Sequence, residues 1–420
     1  MPQEVPGPLE VLGALIGYTA AHHLPPPAAL VGDWWGADAV IAPSIDIVAG
    51  HPPPPVAERF WFGYLGFPGY RTPLAGAVDG VMDGGIMDGG VMDGDGLPAV
   101  AGGETDGVLL VRDGRWEYRS VDGSPCPAWV SECMAAAGSI GVPQPPRVRW
   151  TPPEREPHLA AVESCLEAIR AGEVYQACVC TRFTGQIDGP PSAFYRLLAA
   201  ATVPAKSAFL QGDWGAVVSF SPETFLRRTG GVVSSAPIKG TIPATGDPAT
   251  LAASEKDIAE NVMIVDLVRN DLGRVADIGS VTVPALLRIS PAPGVWHLVS
   301  TVAAEVGEHV TTIDLLDAAF PPASVTGTPK LRALSLLAGW EQHARGVYCG
   351  AIGMSGPGQV SESGPAGDLD LNVAIRTVAV SPGGSAVLGV GGGITIDSDP
   401  GREWQECLDK ASSIVSAFTR

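Results

Sequence analysis

The chain has 420 residues, 45% of them hydrophobic, which is enough for one large domain or two ordinary domains with a sizeable core. Its formal net charge is -19, and no cluster of Lys or Arg interrupts that acidity, so binding to nucleic acid or to an anionic membrane is not expected. No stretch reaches the roughly 18 uninterrupted apolar residues of a membrane helix, and residues 1–10 lack the basic start and apolar run of a signal peptide. The seven cysteines are scattered without a Cys-x-x-Cys pair, so we predict a cytoplasmic protein with reduced thiols.

Residues 1–150 are rich in Pro, Gly and Ala and contain short strand-like segments at 60–64 and 107–112. Between 78 and 96 the sequence repeats [Val/Ile]-Met-Asp-Gly-Gly, a tract that cannot bury an apolar face and that predicts a surface loop. Its aspartates raise the alternative of calcium binding, but neither the EF-hand loop nor the nonapeptide calcium repeat fits. We predict an N-terminal subdomain over 1–150 that carries this loop.

The sequence pattern changes at residue 151, where segments with helical periodicity and segments with strand-like alternation begin. Helices are predicted at 158–172, at 252–270, from Pro329 to about 342, and after an N-cap at Asp399; strands are predicted at 174–183, 216–220, 232–238 and 386–396, the last interrupted by Gly391, Gly392 and Gly393. Because these elements mix without a regular βαβ rhythm, we predict an α+β fold with mainly antiparallel sheets. Residues 151–420 are expected to form the catalytic region.

Two of these helices carry carboxylates on one face. Asp257 and Glu260 are three residues apart, and Glu403, Glu406 and Lys410 follow one another at spacings of three and four. Two such helices facing each other could hold Mg²⁺, which prefers a few carboxylates together with water and a substrate oxygen. The alternative is that both faces are simply solvated.

Three further residues and one glycine run each allow both a functional and a purely structural interpretation. Arg376 lies in an apolar strand-like run, where its guanidinium needs an anionic partner, either an internal Asp or Glu or a ligand carboxylate. Lys239 is predicted at a strand-to-loop junction, as a nucleophile that must lose its proton or as an ordinary loop lysine. His297 is a candidate acid or base, or a core histidine. The glycines at 391–393 allow backbone N–H groups to approach an anion, or mark a bulge or a tight packing contact.

Taken together, these segments resemble the chorismate-utilising family, which includes anthranilate, aminodeoxychorismate, isochorismate and salicylate synthases. The matching stretches occur in family order from about 155 to 415: SFSPETFL at 219–226, PIKGT at 237–241, EKDIAENVMIVDLVRNDLGRV at 255–275, HLVSTV at 297–302, SVTGTPK at 324–330, RGVYCGAIG at 345–353, NVAIRTV at 372–378 and GGGITIDSDPGREWQECLDK at 391–410. The resemblance implies a two-lobed α+β fold with facing sheets and a buried site between them.

The resemblance also implies residue roles. Glu260 and Glu406 would be Mg²⁺ ligands, supported by Asp257 and Glu403, and Glu223 would be the general acid that protonates the departing C4 hydroxyl of chorismate. The other implied substrate contacts are the clamp on the enolpyruvyl carboxylate and the groups near the ring carboxylate: Arg376, Tyr348, Gly391, Gly392 and Gly393 for the clamp, and Lys410 and Thr241 for the ring.

Two positions discriminate within the family. Isochorismate and salicylate synthases have a water-activating lysine where this chain has Gln176, which cannot act as that base. Anthranilate synthases usually read Pro-Ile-Ala-Gly-Thr where this chain has Lys239, the mark of aminodeoxychorismate synthases, in which the lysine resembles a nucleophile at C2. The implied activity is therefore amination of chorismate to 4-amino-4-deoxychorismate for p-aminobenzoate and folate supply. The alternatives are an anthranilate or 2-amino-2-deoxyisochorismate synthase, and a non-catalytic chorismate-binding regulator.

The sequence lacks the Gly-x-Cys-x-Gly nucleophile elbow of glutamine amidotransferases. We therefore expect ammonia to come from a separate glutamine amidotransferase subunit, or from free ammonium.

Overall fold

The computed structural model describes residues 5–67, 96–292, 294–358 and 367–418, and every structural statement below refers to them. The Gly/Asp tract at 78–96 lies almost entirely outside these ranges, so its prediction as a loop is not tested. Within the described ranges, no helix is long and apolar enough to cross a membrane.

The described residues form nine α-helices and 21 β-strands. The helices are α1 Pro8–Ala21, α2 Ala128–Ala136, α3 Arg155–Arg170, α4 Pro191–Thr202, α5 Ala249–Ala252, α6 Glu255–Gly273, α7 Thr312–Ala319, α8 Lys330–Trp340 and α9 Pro400–Val415. The strands are β1 Ala28–Trp34, β2 Ala37–Ala42, β3 Val48–Ala49, β4 Phe60–Leu65, β5 Val100–Thr105, β6 Gly107–Arg112, β7 Arg115–Ser120, β8 Arg147–Thr151, β9 Gln176–Asp188, β10 Lys206–Gly212, β11 Gly215–Ser219, β12 Thr224–Thr229, β13 Val232–Ala236, β14 Ile238–Pro243, β15 Thr282–Ala292, β16 Val295–Glu305, β17 Gly327–Thr328, β18 Ala351–Gly356, β19 Asp368–Val373, β20 Thr377–Val380 and β21 Ser385–Ile394.

The strands form two large antiparallel sheets. The first sheet has the order β17-β9-β21-β20-β11-β10-β1-β2-β6-β7, with β8 paired to β9; the second has the order β14-β16-β13-β12-β19-β18-β4-β5-β3, with β15 paired to β16. The sheets face each other, because the same apolar clusters contain side chains from both, such as Leu30 and Val108 of the first with Phe62 and Met354 of the second. The predicted α+β fold with facing, mainly antiparallel sheets is confirmed.

Each sheet contains strands from both sides of residue 150. Strands β1, β2, β6 and β7 extend the first sheet beyond β10, and β3, β4 and β5 extend the second beyond β18. The predicted domain boundary at residue 150 therefore does not coincide with a boundary between the two sheets. The division into two subdomains stays a prediction.

Strand β21 is continuous through its glycines, so the predicted interruption at 391–393 was wrong. Gly391, Gly392 and Gly393 all pair with β9, opposite Cys180, Val179 and Cys178. Glycine can adopt the extended backbone of a strand. Here the lack of a side chain lets Cys180 of β9 lie close to β21, because a Cβ on Gly391 would lie 2.6 Å from the Cys180 sulfur.

Among the connections that pass from one sheet to the other, two lie side by side and are called the two crossovers below. One crossover joins β11 of the first sheet to β12 of the second, and the other joins β19 of the second sheet to β20 of the first. The Phe220 N–H donates to the Arg376 carbonyl (3.0 Å), and the Val373 N–H donates to the Glu223 carbonyl (3.0 Å). These bonds hold together the two segments that carry Glu223 and Arg376.

Candidate active site

The predicted site residues converge at the end of β21, where a side chain on Gly393 would be surrounded by polar atoms. A Cβ there would lie 3.3 Å from Lys239 Nζ, 3.4 Å from Glu260 Oε2 and 3.8 Å from Gln176 Oε1. The structure therefore brings together residues from β9, β14, α6 and β21 that are far apart in the sequence.

Lys239 lies within β14 and not at the predicted strand-to-loop junction. Pairing of β14 with β16 breaks after Ile238 and resumes at Thr241, so Lys239 and Gly240 form an irregularity within the strand. Gly240 has a φ of +80°, which favours glycine, and a Cβ there would lie only 3.0 Å from the Asp257 carboxyl carbon. The Lys239 ammonium donates to the Ser324 carbonyl at 3.2 Å.

Glu223 is buried on the first crossover, with 5% of its surface exposed. Burial raises the pKa of its carboxyl group, while the Ser324 side chain, Lys239 and the backbone N–H of Ile238 oppose that rise. A buried carboxyl group with a raised pKa can retain a proton for donation to a leaving group.

Arg376 lies on the second crossover in a left-handed conformation, with a φ of +48°. Burial lowers the pKa of its guanidinium, and the nearby Glu223 partly offsets this effect. Across the described residues, the Arg376 guanidinium forms no ion pair within 4.0 Å. Of the two partners that the sequence left open, an internal carboxylate is therefore not found in the described chain, and the guanidinium is free to bind an anion.

His297 and Thr241 pair across β14 and β16. The Thr241 hydroxyl lies 2.8 Å from His297 Nδ1, whereas His297 Nε2 is buried without a hydrogen-bond partner in the described chain. Burial and the charge of Arg376 lower the pKa of His297 to about 4, so the ring is neutral near pH 7.

The carboxylates of α6 and α9 meet around two lysines. Lys256 Nζ lies 3.0 Å from Glu403 Oε1 and 3.8 Å from Glu260 Oε1, and therefore links the two helices. Burial raises the pKa of Glu260. On α9, Lys410 pairs with Glu406 at 2.7 Å and donates to the Gly391 carbonyl at 2.9 Å.

The donor chemistry of this group fits Mg²⁺. Glu403 Oε2 is buried without a hydrogen-bond partner among the described residues, and it lies 3.0 Å from a Cβ built on Gly392, with Glu406 Oε1 at 3.9 Å from the same point. These are the oxygen ligands that a hard cation prefers. In the described part of the chain no three acidic, His or Cys side chains converge closely enough to bind a metal ion as they stand. Asp257 faces Gly240 instead. The magnesium site stays a prediction.

The side chains of Glu406 and Lys410 are partly accessible to solvent although protein atoms surround them. Their side chains are 48% and 42% exposed, yet burial among protein atoms is the largest influence on the pKa of each. For Lys410 the charge and hydrogen bond of Glu406, together with nearby thiols, more than offset burial and raise the pKa. Water-accessible side chains surrounded by protein are typical of a cleft wall.

Tyr348 and Gln176 are both buried. The Tyr348 ring packs on Gly389, and burial raises its pKa well above the usual value. Nearby cysteines and Arg345 act on the pKa of Tyr348, whereas Glu223 acts on the pKa of Arg376. The joint clamp on the substrate stays a prediction. Gln176 Oε1 is buried and has no partner in the described chain.

Sequence reasoning did not assign Ser324 or Lys256 to the site. Ser324 contacts both Lys239 and Glu223, and Lys256 joins α6 to α9. The signal for Lys256 was present, because it precedes Glu260 by one helical turn and is one of only five lysines in the chain.

Comparison with known proteins gives concordant matches. The family model for chorismate binding enzyme matches residues 139–416. Aminodeoxychorismate synthase component 1 of Klebsiella aerogenes is 42% identical over 254 residues, which cover 59% of this chain and 54% of that protein. Aminodeoxychorismate synthase of Streptomyces pristinaespiralis is 36% identical over 382 residues, which cover 86% of this chain and 51% of that protein.

The chain thus spans about half the length of the curated relatives it matches. Among solved structures, anthranilate synthase component I from Streptococcus pneumoniae superposes with a TM-score of 0.67 at 24% identity, covering 93% of this chain and 90% of that one, which supports the fold. Because the family model matches residues 139–416, which are most of the chain, this chain belongs to the chorismate binding enzyme family.

Proposed function

We propose that this protein is the aminating component of an aminodeoxychorismate synthase, which converts chorismate and ammonia to 4-amino-4-deoxychorismate. The observation that carries the proposal is the position of Lys239, whose ammonium lies in the cleft beside Gly393 and Glu260 and not on an exposed loop. The relatives named aminodeoxychorismate synthase support the same choice.

Chorismate is a dianion, and the charges of the cleft suit it. The Arg376 guanidinium has no ion-pair partner in the described chain, so it would bind the enolpyruvyl carboxylate, aided by Tyr348 and the backbone of Gly391, Gly392 and Gly393. Lys410 and Thr241 would face the ring carboxylate. Gln176 would contact the substrate without acting as a base, because an amide does not accept a proton at neutral pH.

Glu260 and Glu406 would hold Mg²⁺, with Glu403 and Asp257 in support. When bound, the cation would neutralise the ring carboxylate and so favour loss of the C4 hydroxyl.

The proposed chemistry uses Lys239 and Glu223. Lys239 first releases the proton of its ammonium to solvent; the resulting amine forms a bond to C2, the ring electrons shift, and the C4–O bond breaks as Glu223 gives its proton to the departing hydroxyl, which leaves as water. Ammonia then forms the C4–N bond, the C2–N bond to Lys239 breaks, and its electron pair returns to the lysine. The new C4 ammonium can return a proton to Glu223, which restores the acid. The neutral His297 would orient the Thr241 hydroxyl.

We further propose that a separate glutamine amidotransferase subunit supplies the ammonia. The name component 1 of the similar proteins and the missing nucleophile elbow support this partner. Glutamine should then support amination only after an amidotransferase is added, whereas ammonium alone should suffice at high pH. Glutamine-dependent amination by this chain alone would contradict the assignment.

Product analysis tests the proposed function directly. The protein is incubated with chorismate, Mg²⁺ and ammonium, with and without an aminodeoxychorismate lyase. We expect p-aminobenzoate only when the lyase is present. Formation of anthranilate or of a 2-amino product would identify the rival within the family, and unchanged chorismate would indicate a non-catalytic homologue.

A further inference from the structure

The Asn372 side chain connects the two sheets beside the crossovers. It lies at the end of β19 with 1% of its surface exposed. Its Oδ1 accepts from Lys206 Nζ at 3.1 Å, and its Nδ2 donates to the Ser221 carbonyl at 3.1 Å. Lys206 belongs to β10 of the first sheet, and Asn372 belongs to β19 of the second sheet. The Asn372 amide therefore connects the first sheet to Ser221, which lies on the crossover from β11 to β12.

Lys206 fixes which way the amide faces. Its ammonium is buried, pairs with Asp370 at 2.7 Å and lies 4.2 Å from the centre of the Trp34 ring. A cation can only donate, so it requires the amide oxygen on its side. The amide nitrogen must then face Ser221, and the buried amide has a partner at each end.

The segment that Asn372 contacts is the one that carries Glu223. The Ser221 hydroxyl accepts from the Glu223 N–H at 3.3 Å, and the Glu223 carbonyl accepts from the N–H of Val373, the residue after Asn372. We propose that Asn372 is a positioning residue whose amide, oriented by Lys206, sets the place of the Glu223 carboxyl group relative to Arg376. This role rests on the proposed function of Glu223.

The test uses Asn372→Asp, which keeps the shape of the side chain and replaces the donor with an oxygen. That oxygen would face the Ser221 carbonyl and repel it, while the contact with Lys206 would be kept. We expect kcat with chorismate and saturating ammonium to fall by about 10- to 100-fold, as misplacement of a reacting group by about 1 Å can cause, whereas the KM for chorismate changes by less than about threefold.

Ser221→Ala provides a milder second variant, because it removes only the hydroxyl that accepts from the Glu223 N–H. It should lower kcat in the same direction and again spare KM. Ser355→Ala is the matched control, because this serine is equally buried on β18, next to β19, and its hydroxyl has no partner in the described chain. It should leave both constants unchanged.

Crystal structures of Asn372→Asp and of the wild type separate this inference from the proposed function. We expect the distance between the Glu223 carboxyl group and the Arg376 guanidinium to change by more than about 0.5 Å. An unmoved Glu223, or a wild-type kcat in Asn372→Asp, overturns the positioning role. If the wild type does not consume chorismate, the proposed function fails, and the crystal structures alone decide on Asn372.

Discussion

Replacement of Arg376 should raise the KM for chorismate without lowering the free energy of unfolding appreciably. A guanidinium bound to a carboxylate makes two charge-assisted hydrogen bonds, each worth about 1.5–3 kcal/mol. Arg376→Gln removes both, so the KM for chorismate should rise by at least about 100-fold, since about 1.4 kcal/mol corresponds to tenfold. Arg376→Lys keeps the charge but loses the fork, and the rise should be about 10- to 100-fold.

The stability of these variants follows from the missing ion pair. Burial already lowers the pKa of Arg376, which means that the charged form is disfavoured where it lies. Removal of the charge should therefore lower the free energy of unfolding by no more than about 1 kcal/mol.

Arg345 is the matched control, because it is a buried arginine with internal partners. Its guanidinium pairs with Glu341 at 2.7 Å and donates to the carbonyls of Val325 and Cys178, both at 2.6 Å. Arg345→Gln breaks that buried pair and should cost about 3–5 kcal/mol.

Steady-state consumption of chorismate and urea unfolding of each variant give both quantities. The reasoning is refuted if Arg376→Gln keeps its KM within threefold of the wild type, or if it loses as much stability as Arg345→Gln.

Three further predictions concern the site and its surroundings. Lys239→Ala should abolish most 4-amino product, and Lys239→Arg should not restore it, because a guanidinium stays protonated and is a poor nucleophile; rescue by Arg in a product assay would indicate a purely electrostatic role. Glu260→Gln and Glu406→Gln should each abolish turnover and any Mg²⁺-dependent rise in melting temperature, and full activity of both in EDTA would exclude the metal site. Burial lowers the pKa of His158 from 6.5 to about 4. Between these two pH values His158 is protonated in the unfolded chain but neutral in the folded protein. As pH falls from 6.5 to 4, the wild type should lose up to about 3 kcal/mol relative to His158→Phe, at about 1.4 kcal/mol per pH unit; parallel stability curves for the two proteins would contradict this.

Local patterns in the sequence predicted four helices of the C-terminal region, α3, α6, α8 and α9, and four of its strands, β9, β11, β13 and β21. Asp399 was predicted as an N-cap, and its side chain accepts from the Arg402 N–H. The same patterns failed where glycine was involved. Glycine is compatible with both a bulge and a regular strand, so the sequence could not show that Gly391, Gly392 and Gly393 continue β21, or that pairing resumes after Lys239 and Gly240.

The partners of buried charges could not be predicted from local sequence. For Arg376 the sequence left both an internal carboxylate, the commoner case, and a ligand open, because any internal partner would come from a distant segment. The roles of Asn372 and Ser324 have the same origin, since each contacts segments brought near by the two crossovers. Long-range strand pairing also determines that strands from 1–150 complete both sheets.

The two adjacent crossovers have a consequence for how the protein folds. All strands from β12 to β19 lie between them in the sequence. Bringing the two crossovers together therefore closes a long loop, and contacts of high sequence separation form slowly. During synthesis, Glu223 cannot meet Arg376 until β19 and the crossover after it have left the ribosome. A fragment that ends before β19 would contain Lys239 and the carboxylates of α6 without the second crossover. Two fragments divided between β12 and β19 would therefore each be inactive, and activity would return only when they reassemble.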